Sequence, residues 1–247
     1  MPRFEDVKVL LVQARSTPDI EVQEQECFLE RCRIEPPQLS TRSVLRDVLG
    51  PDLVEAYDAV MIGGAGEFSA VDDYEWMPGL LDFIRVCYDR HIPTFGACWG
   101  HQLIARALGG RVIHDSSLAE MGCHPVTLTE SGHSDIVFRS FPHRFLANMG
   151  HHDRVVELPP DGIELARSDS QPYQAIRIAG RPMYSTQFHS ELDAHRERER
   201  LYRYREHYPE IGSDVSFQAV LANLAETSEV DHLLHDFLIT YAVDNTS

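Results

Sequence analysis

Lysine is nearly missing from this 247-residue chain: of 22 basic residues one is a lysine, Lys8, and the rest are arginines. No Gly-x-x-x-x-Gly-Lys-Ser/Thr phosphate loop can exist. A Schiff-base or general-base lysine would have to be Lys8, inside an apolar run near the N-terminus. Basic charge is scarce altogether, with 39 acidic residues and a formal net charge of −17, which argues against a nucleic-acid partner, whose phosphates call for cations. Long apolar runs are absent too. Stretches such as Val9 to Val12 are far too short to span a bilayer, and the opening Met-Pro-Arg-Phe-Glu-Asp has no signal-peptide character. The expectation is a soluble, cytoplasmic protein without a membrane partner. Five cysteines, Cys27, Cys32, Cys87, Cys98 and Cys123, make an odd set with no paired short spacing, which suits reduced thiols better than a disulfide framework.

What is present has ordinary globular proportions, 43% hydrophobic and 25% charged. A chain of this length can bury roughly 70–75% of its unfolded surface as one α/β unit. With no repeat, low-complexity tract or linker, residues 1–247 read as a single domain. Strands are expected at Val7 to Val12, Ala59 to Ile62 and Ile92 to Phe95, alternating with helices over Glu21 to Arg33 and around Met77, Leu80, Leu81, Ile84 and Tyr88. Such alternation implies a mostly parallel sheet flanked by helices. Gly63-Gly64-Ala65-Gly66 and Gly96-Ala97-Cys98-Trp99-Gly100 are tight turns, the second leading into a helix that ends at Gly109-Gly110.

Beyond lie short strand candidates at Arg111 to Ile113, Val126 to Leu128, Phe145 to Asn148, Glu164 to Arg167, Ala175 to Ile178 and Met183 to Gln187, a smaller, more antiparallel element. The alternating Arg and Glu of Asp193 to Tyr208 predict a solvent-exposed helix held by local ion pairs. Ser228 with Asp231 resembles a helix-start cap for the stripe Val230, Leu233, Leu234, Phe237, Leu238 and Tyr241. Residues 193–247 are thus an extended helical C-terminal region.

Cys98 carries the chemistry. Glycines two residues to either side let the backbone make a strained strand-to-helix turn that exposes a side chain. A thiol at a helix N-terminus is favoured as thiolate by the unsatisfied N–H groups there. Burial as a small core residue, the usual fate of a free cysteine, suits Cys27, Cys32 and Cys87 but leaves Gly96 and Gly100 unexplained. A thiolate nucleophile needs a base held by a carboxylate. Thirteen histidines offer themselves, and His189 stands out because it ends a strand candidate with Glu191 two residues on, facing the same way on extended chain.

Gly96-Ala97-Cys98-Trp99-Gly100-His101-Gln102, followed by Phe188-His189-Ser190-Glu191, resembles the triad signature of class I glutamine amidotransferases. The likeness runs from Val7 to about Glu191 and is greatest to free-standing members similar to the guanosine monophosphate synthetase glutaminase domain. It implies a flavodoxin-like fold, no cofactor, and hydrolysis of glutamine to glutamate and ammonia through a γ-glutamyl thioester. Carried over by residue, Cys98 is the nucleophile, His189 the acid/base and Glu191 its orienter. The N–H groups of Trp99 and of Gly64, in the Gly63-Gly64 turn, form an oxyanion hole. Gly63, Gln102, Gly122, His151 and Asp153 border the substrate. Two departures bear on rate and substrate choice: Ser190 and Ala65 stand where the family commonly has proline.

His151, His152 and Asp153 with Cys123 and His124 match no compact zinc spacing, so no metal is expected. Three functions follow. The first is a glutaminase that supplies ammonia to a separate synthase subunit, since synthases of this kind commonly spend ATP and the chain has no P-loop. The second is a stand-alone hydrolase or transferase of γ-glutamyl amides or peptides. The third is a non-enzymatic redox sensor or chaperone, which the His189/Glu191 element disfavours.

Overall fold

In the first strand, Val9 and Leu11 face one hydrophobic core and Leu10 and Val12 face another, because alternate side chains leave opposite faces of extended chain. A strand buried on both sides sits inside a layered α/β structure, and the computed structural model, which describes residues 2–243, has that architecture. Its elements are β1 (Val9–Gln13), α1 (Pro18–Cys32), β2 (Leu39–Ser43), β3 (Ala59–Ile62), α2 (Met77–Asp89), β4 (Thr94–Ala97), α3 (Trp99–Ala107) and β5 (Arg111–His114). They continue with β6 (Glu120–Leu128), α4 (Glu130–Ser134), β7 (Arg144–His151), β8 (Asp153–Glu157), β9 (Gly162–Ser168), β10 (Ala175–Ile178), β11 (Met183–Thr186), α5 (Ala194–Tyr204), α6 (Asp214–Asn223) and α7 (Leu233–Tyr241).

One sheet runs β2-β1-β3-β4-β11-β10-β9-β6-β7. Its pairings are parallel from β2 to β11 and antiparallel from β11 to β7. A separate antiparallel pair joins β5 and β8. Phe28 of α1 and Phe237 of α7 fill one face; Leu80 and Ile84 of α2 and Leu103 of α3 fill the other. A third, smaller core gathers Ile20, Met121, Leu201, Tyr204, Phe217 and Leu221, and it fastens α5 and α6 to α1 and β6.

The expected α/β class and the mixed character of the sheet hold. β3 and β10 fall on their expected residues, while β1 starts two residues late and β6 and β7 extend well past their predicted cores. β2, β8 and α4 were not expected, whereas α6 lies within the helical region expected over 193–247. Ser228 caps nothing: α7 begins at Leu233 after His232, which makes no side-chain cap, and Ser228 Oγ reaches Glu229 instead. The stripe it introduces is nonetheless core, with Leu233, Leu234, Phe237 and Leu238 fully buried.

The solvent-exposed reading of Asp193 to Tyr208 needs correcting. Asp193 does cap α5, accepting from the Arg196 N–H at 2.7 Å, but Ala194, Glu197, Arg200, Leu201 and Tyr204 are buried. They recur at helical spacing and present one face to the protein. All five cysteines are free thiols and buried, and no described helix is long and apolar enough to cross a membrane.

Candidate active site

Three neighbouring parallel strands, β3, β4 and β11, end together, and each continues into a segment singled out by sequence: Gly63-Gly64, Cys98 and Gln187 to Glu191. Loops beyond the carboxyl ends of parallel strands are where such sheets hold ligands. Cys98 has φ 50° and ψ −101°, a conformation that costs an L-residue on the order of 1–3 kcal/mol. The flanking glycines explain how it is imposed. A Cβ on Gly96 would lie 2.6 Å from the Gly100 carbonyl carbon, and one on Gly100 would lie 2.4 Å from the Ile62 carbonyl oxygen. Strand and helix are pressed together at contacts that admit no side chain, and the Cys98 N–H is tied to Thr186 O at 2.8 Å.

His189 lies beside this turn. Its backbone N–H donates to Asn148 O at 3.0 Å, and its Nδ1 lies 2.9 Å from Glu191 Oε1. The contact is made through a bend after β11, since the strand stops at Thr186. On the other side of the ring, Nε2 lies 4.0 Å from Glu197 Oε2. Burial opposes a charge on this imidazole, yet Glu197 and then Glu191 outweigh burial and raise it well above its ordinary value. Burial likewise opposes the Glu191 carboxylate, and the neighbouring His189 outweighs it, so Glu191 is held below the usual range.

Cys98 stands between two cavities. The larger, of about 150 Å³, is bordered by Ser69, Trp99, Gln102, His151, His152 and Asp153. The smaller, of about 20 Å³, is bordered by Arg15, His189, Glu197, Arg200 and Tyr204. A buried ionic web backs the smaller one. Arg15 Nη2 pairs with Glu24 Oε1 at 2.6 Å, Arg15 Nη1 donates to Tyr204 Oη at 3.2 Å, and Arg200 Nη1 lies 3.5 Å from Glu191 Oε1. Glu24 also receives the Gly64 N–H at 3.2 Å, and a Cβ on Gly63 would meet Glu24 Oε1 at 2.6 Å. The Gly63 N–H is spent in the sheet on Val12 O.

The glutamine amidotransferase class-I family matches residues 32–205, about seven-tenths of the chain. The chain belongs to that family. Over 111 residues it is 38% identical to a component of the glutamine-hydrolyzing GMP synthase of Pyrococcus abyssi, an alignment covering 44% of this chain and 56% of that protein. Over 140 residues it is 31% identical to the like-named component from Sulfolobus acidocaldarius, covering 56% and 70%. The chain thus spans little more than half of the first relative. A glutamine amidotransferase from Thermotoga maritima superposes with a TM-score of 0.72 at 21% identity, covering 97% of this chain and 99% of that one. One from Methylobacillus flagellatus gives 0.74 at 23% identity, with 96% of each covered. These two likenesses are of fold.

Around this site the remaining expected residues divide. Gln102 borders the larger cavity, but its side-chain amide donates to Asp153 O (2.7 Å) and Gln187 Oε1 (3.1 Å); Gln187 in turn lies 3.8 Å from Cys98 Sγ. His151 is held between Asp153 O and Glu120 Oε2. Asp153 Oδ2 receives Ser69 Oγ and the Ala70 N–H, which fixes the loop after Gly66. Gly122 is not at the site: it lies on β6 under α6, where a Cβ would meet Asn223 and the Val220 carbonyl. Ser190, in place of the family proline, is buried with its Oγ 3.4 Å from the Thr186 hydroxyl.

His114, His152 and Asp153 form a group whose ligand atoms fall within 4.8 Å of one another. Asp153 Oδ1 lies 2.9 Å from His114 Nδ1. Cys123 and His124 belong to β6 instead, and His124 Nε2 bonds Met121 O. Sequence reasoning missed Arg15, Glu24, Glu197 and Arg200. The signal for the last two was the helical spacing 194, 197, 200, 201, 204, whose stripe contains both apolar and charged residues.

Proposed function

We propose that this protein hydrolyses glutamine, with Cys98 as nucleophile, His189 as acid/base and Glu191 as the carboxylate that orients the ring, and passes the ammonia to a separate synthase subunit. One observation carries the reading: a carboxylate-held imidazole stands beside a strained cysteine at adjacent strand ends, the arrangement that thioester chemistry requires. The Cys98 sulfur attacks the side-chain amide carbon and forms a C–S bond. The C–N bond breaks, the nitrogen leaves with a proton from His189, and water then cleaves the thioester with His189 taking its proton. Glutamate and ammonia result.

The Trp99 N–H, first in α3 and without a helical acceptor by position, is one donor for the oxyanion. The Gly64 N–H, which Glu24 accepts in the free protein, is the other. Gln102, His151 and Asp153 shape the wall against which the glutamyl part lies. The likeness to proteins named as parts of glutamine-hydrolyzing GMP synthases supports the partner.

The test is glutamate release from glutamine and a panel of γ-glutamyl amides and dipeptides, beside Cys98→Ser, in which turnover should fall by at least about 10³-fold. A weak glutaminase stimulated by a synthase subunit supports the reading. Turnover of peptides but not glutamine selects the stand-alone hydrolase. No turnover together with no labelling of Cys98 by a glutamine-analogue electrophile sinks both.

A further inference from the structure

Glu197 is 2% exposed, and its Oε2 has no hydrogen-bond partner among the described residues. A buried carboxylate oxygen without a hydrogen-bond donor is costly even with a charge nearby, and such an oxygen aimed into a cavity points to a ligand that brings the donor. This one borders the small cavity shared with Cys98 and His189. It comes from α5, outside the residues that the triad signature supplies.

We propose that Glu197 Oε2 accepts a hydrogen bond from the leaving nitrogen of the substrate amide, and that the small cavity is the seat of that nitrogen. The proposal rests on the hydrolytic reading above. Glu197 Oε2 and His189 Nε2 are 4.0 Å apart, a separation at which a single nitrogen lies within hydrogen-bond reach of both. His189 delivers its proton to the nitrogen as the C–N bond breaks and the bonding pair departs with it. Glu197 accepts from an N–H the nitrogen already carries and keeps its own charge throughout. Arg200, whose Nη1 and Nη2 likewise lack hydrogen bonds, lies along the same wall, and Leu201, Tyr204 and Tyr208 close it.

Size makes the assignment selective. The cavity offers about 20 Å³ of free space beside Cys98 and His189. An unsubstituted nitrogen needs the least of that space, and an ethyl group on it would press on the wall of Leu201, Tyr204 and Tyr208. Glu197 and the α5 wall therefore restrict the enzyme to primary amides by contact with the departing group, not with the glutamyl part.

The experiment compares glutamine with γ-glutamylethylamide, and wild type with Glu197→Gln and Leu201→Ala. Wild type should prefer glutamine by about 100-fold in kcat/KM. Leu201→Ala should raise the ethylamide-to-glutamine ratio about tenfold. Glu197→Gln should lose roughly 10–100-fold in kcat for glutamine. A glutamine-analogue chloroketone, which has no leaving nitrogen, should still label Cys98 of Glu197→Gln at the wild-type rate when each protein is held at its own optimum pH. Equal loss of labelling and hydrolysis overturns the proposal, as does wild-type hydrolysis of the ethylamide as fast as of glutamine. If wild type turns over no γ-glutamyl compound, the hydrolytic function itself fails, and this proposal with it; that result appears before any variant is made.

Discussion

The elbow at Cys98 and the helix α5 face the same small cavity but are held there by different means. The elbow is fixed by backbone: β4 lies between β3 and β11 in the sheet, and Gly96 and Gly100 let main chain touch main chain. α5 is fixed by side chains, through a third core that includes Leu201, Tyr204 and Phe217 and through buried charges such as Arg200. The first arrangement rests on main-chain contacts that leave no room for a side chain. The second joins residues nearly two hundred positions apart, such as Arg15 and Tyr204. One site therefore combines a rigid floor with a cover whose stability is its own.

The largest test of this contrast is Phe217→Ala. Losing a fully buried ring should cost about 3–5 kcal/mol, and much of it should appear as local opening of the cover. Amide hydrogen exchange should rise across residues 194–223 while β3 and β4 stay protected. Equal rises in both would erase the distinction. Gly100→Ala should cost about 1–3 kcal/mol and act on the whole protein, shifting the urea midpoint with one transition across all probes.

A pH series probes where the two regions meet. Glu191 sits below its ordinary 4.5, so its contribution is complete above 4.5 and is lost as pH falls through the lowered value. His189 sits above its ordinary 6.5, so its contribution is complete below 6.5 and is lost as pH rises through the raised value. The Tm gap between wild type and Glu191→Gln should thus be greatest between these two values and narrow on both sides. The smallest effect is expected at the solvent face of α5. There Arg203 lies 3.9 Å from Asp19 with both side chains well exposed, and Arg203→Ala should change stability by less than about 0.5 kcal/mol in urea denaturation.

The same helix shows why some of the site was legible and some was not. Cys98, His189 and Glu191 were readable because short-range patterns mark them: glycines at fixed offsets, and a carboxylate two residues beyond a histidine. β2 escaped notice because Leu-Ser-Thr-Arg-Ser is a half-exposed strand with no apolar run and one partner, β1. α6 shows no stripe of its own within the expected helical region, because only Phe217 and Leu221 of its ten residues are buried. In α5 the ratio of charge to apolar residues suggested water on every side, yet Glu197 and Arg200 are buried by being matched with His189 and Glu191 from β11's end.

Near-absence of lysine, acidic balance and a glycine-framed cysteine already excluded a phosphate loop and pointed to thiol chemistry. Residue type and short spacing suffice for that, since they govern backbone freedom and the reactions open to a side chain. Only the tertiary structure decided that an arginine- and glutamate-rich helix turns inward to make the second wall of the cavity, that Glu24 holds the Gly64 N–H, and that Gly122 lies under α6. Those outcomes depend on which distant charges meet in a place without water, and a charge's partner across the fold leaves no periodic trace in the chain.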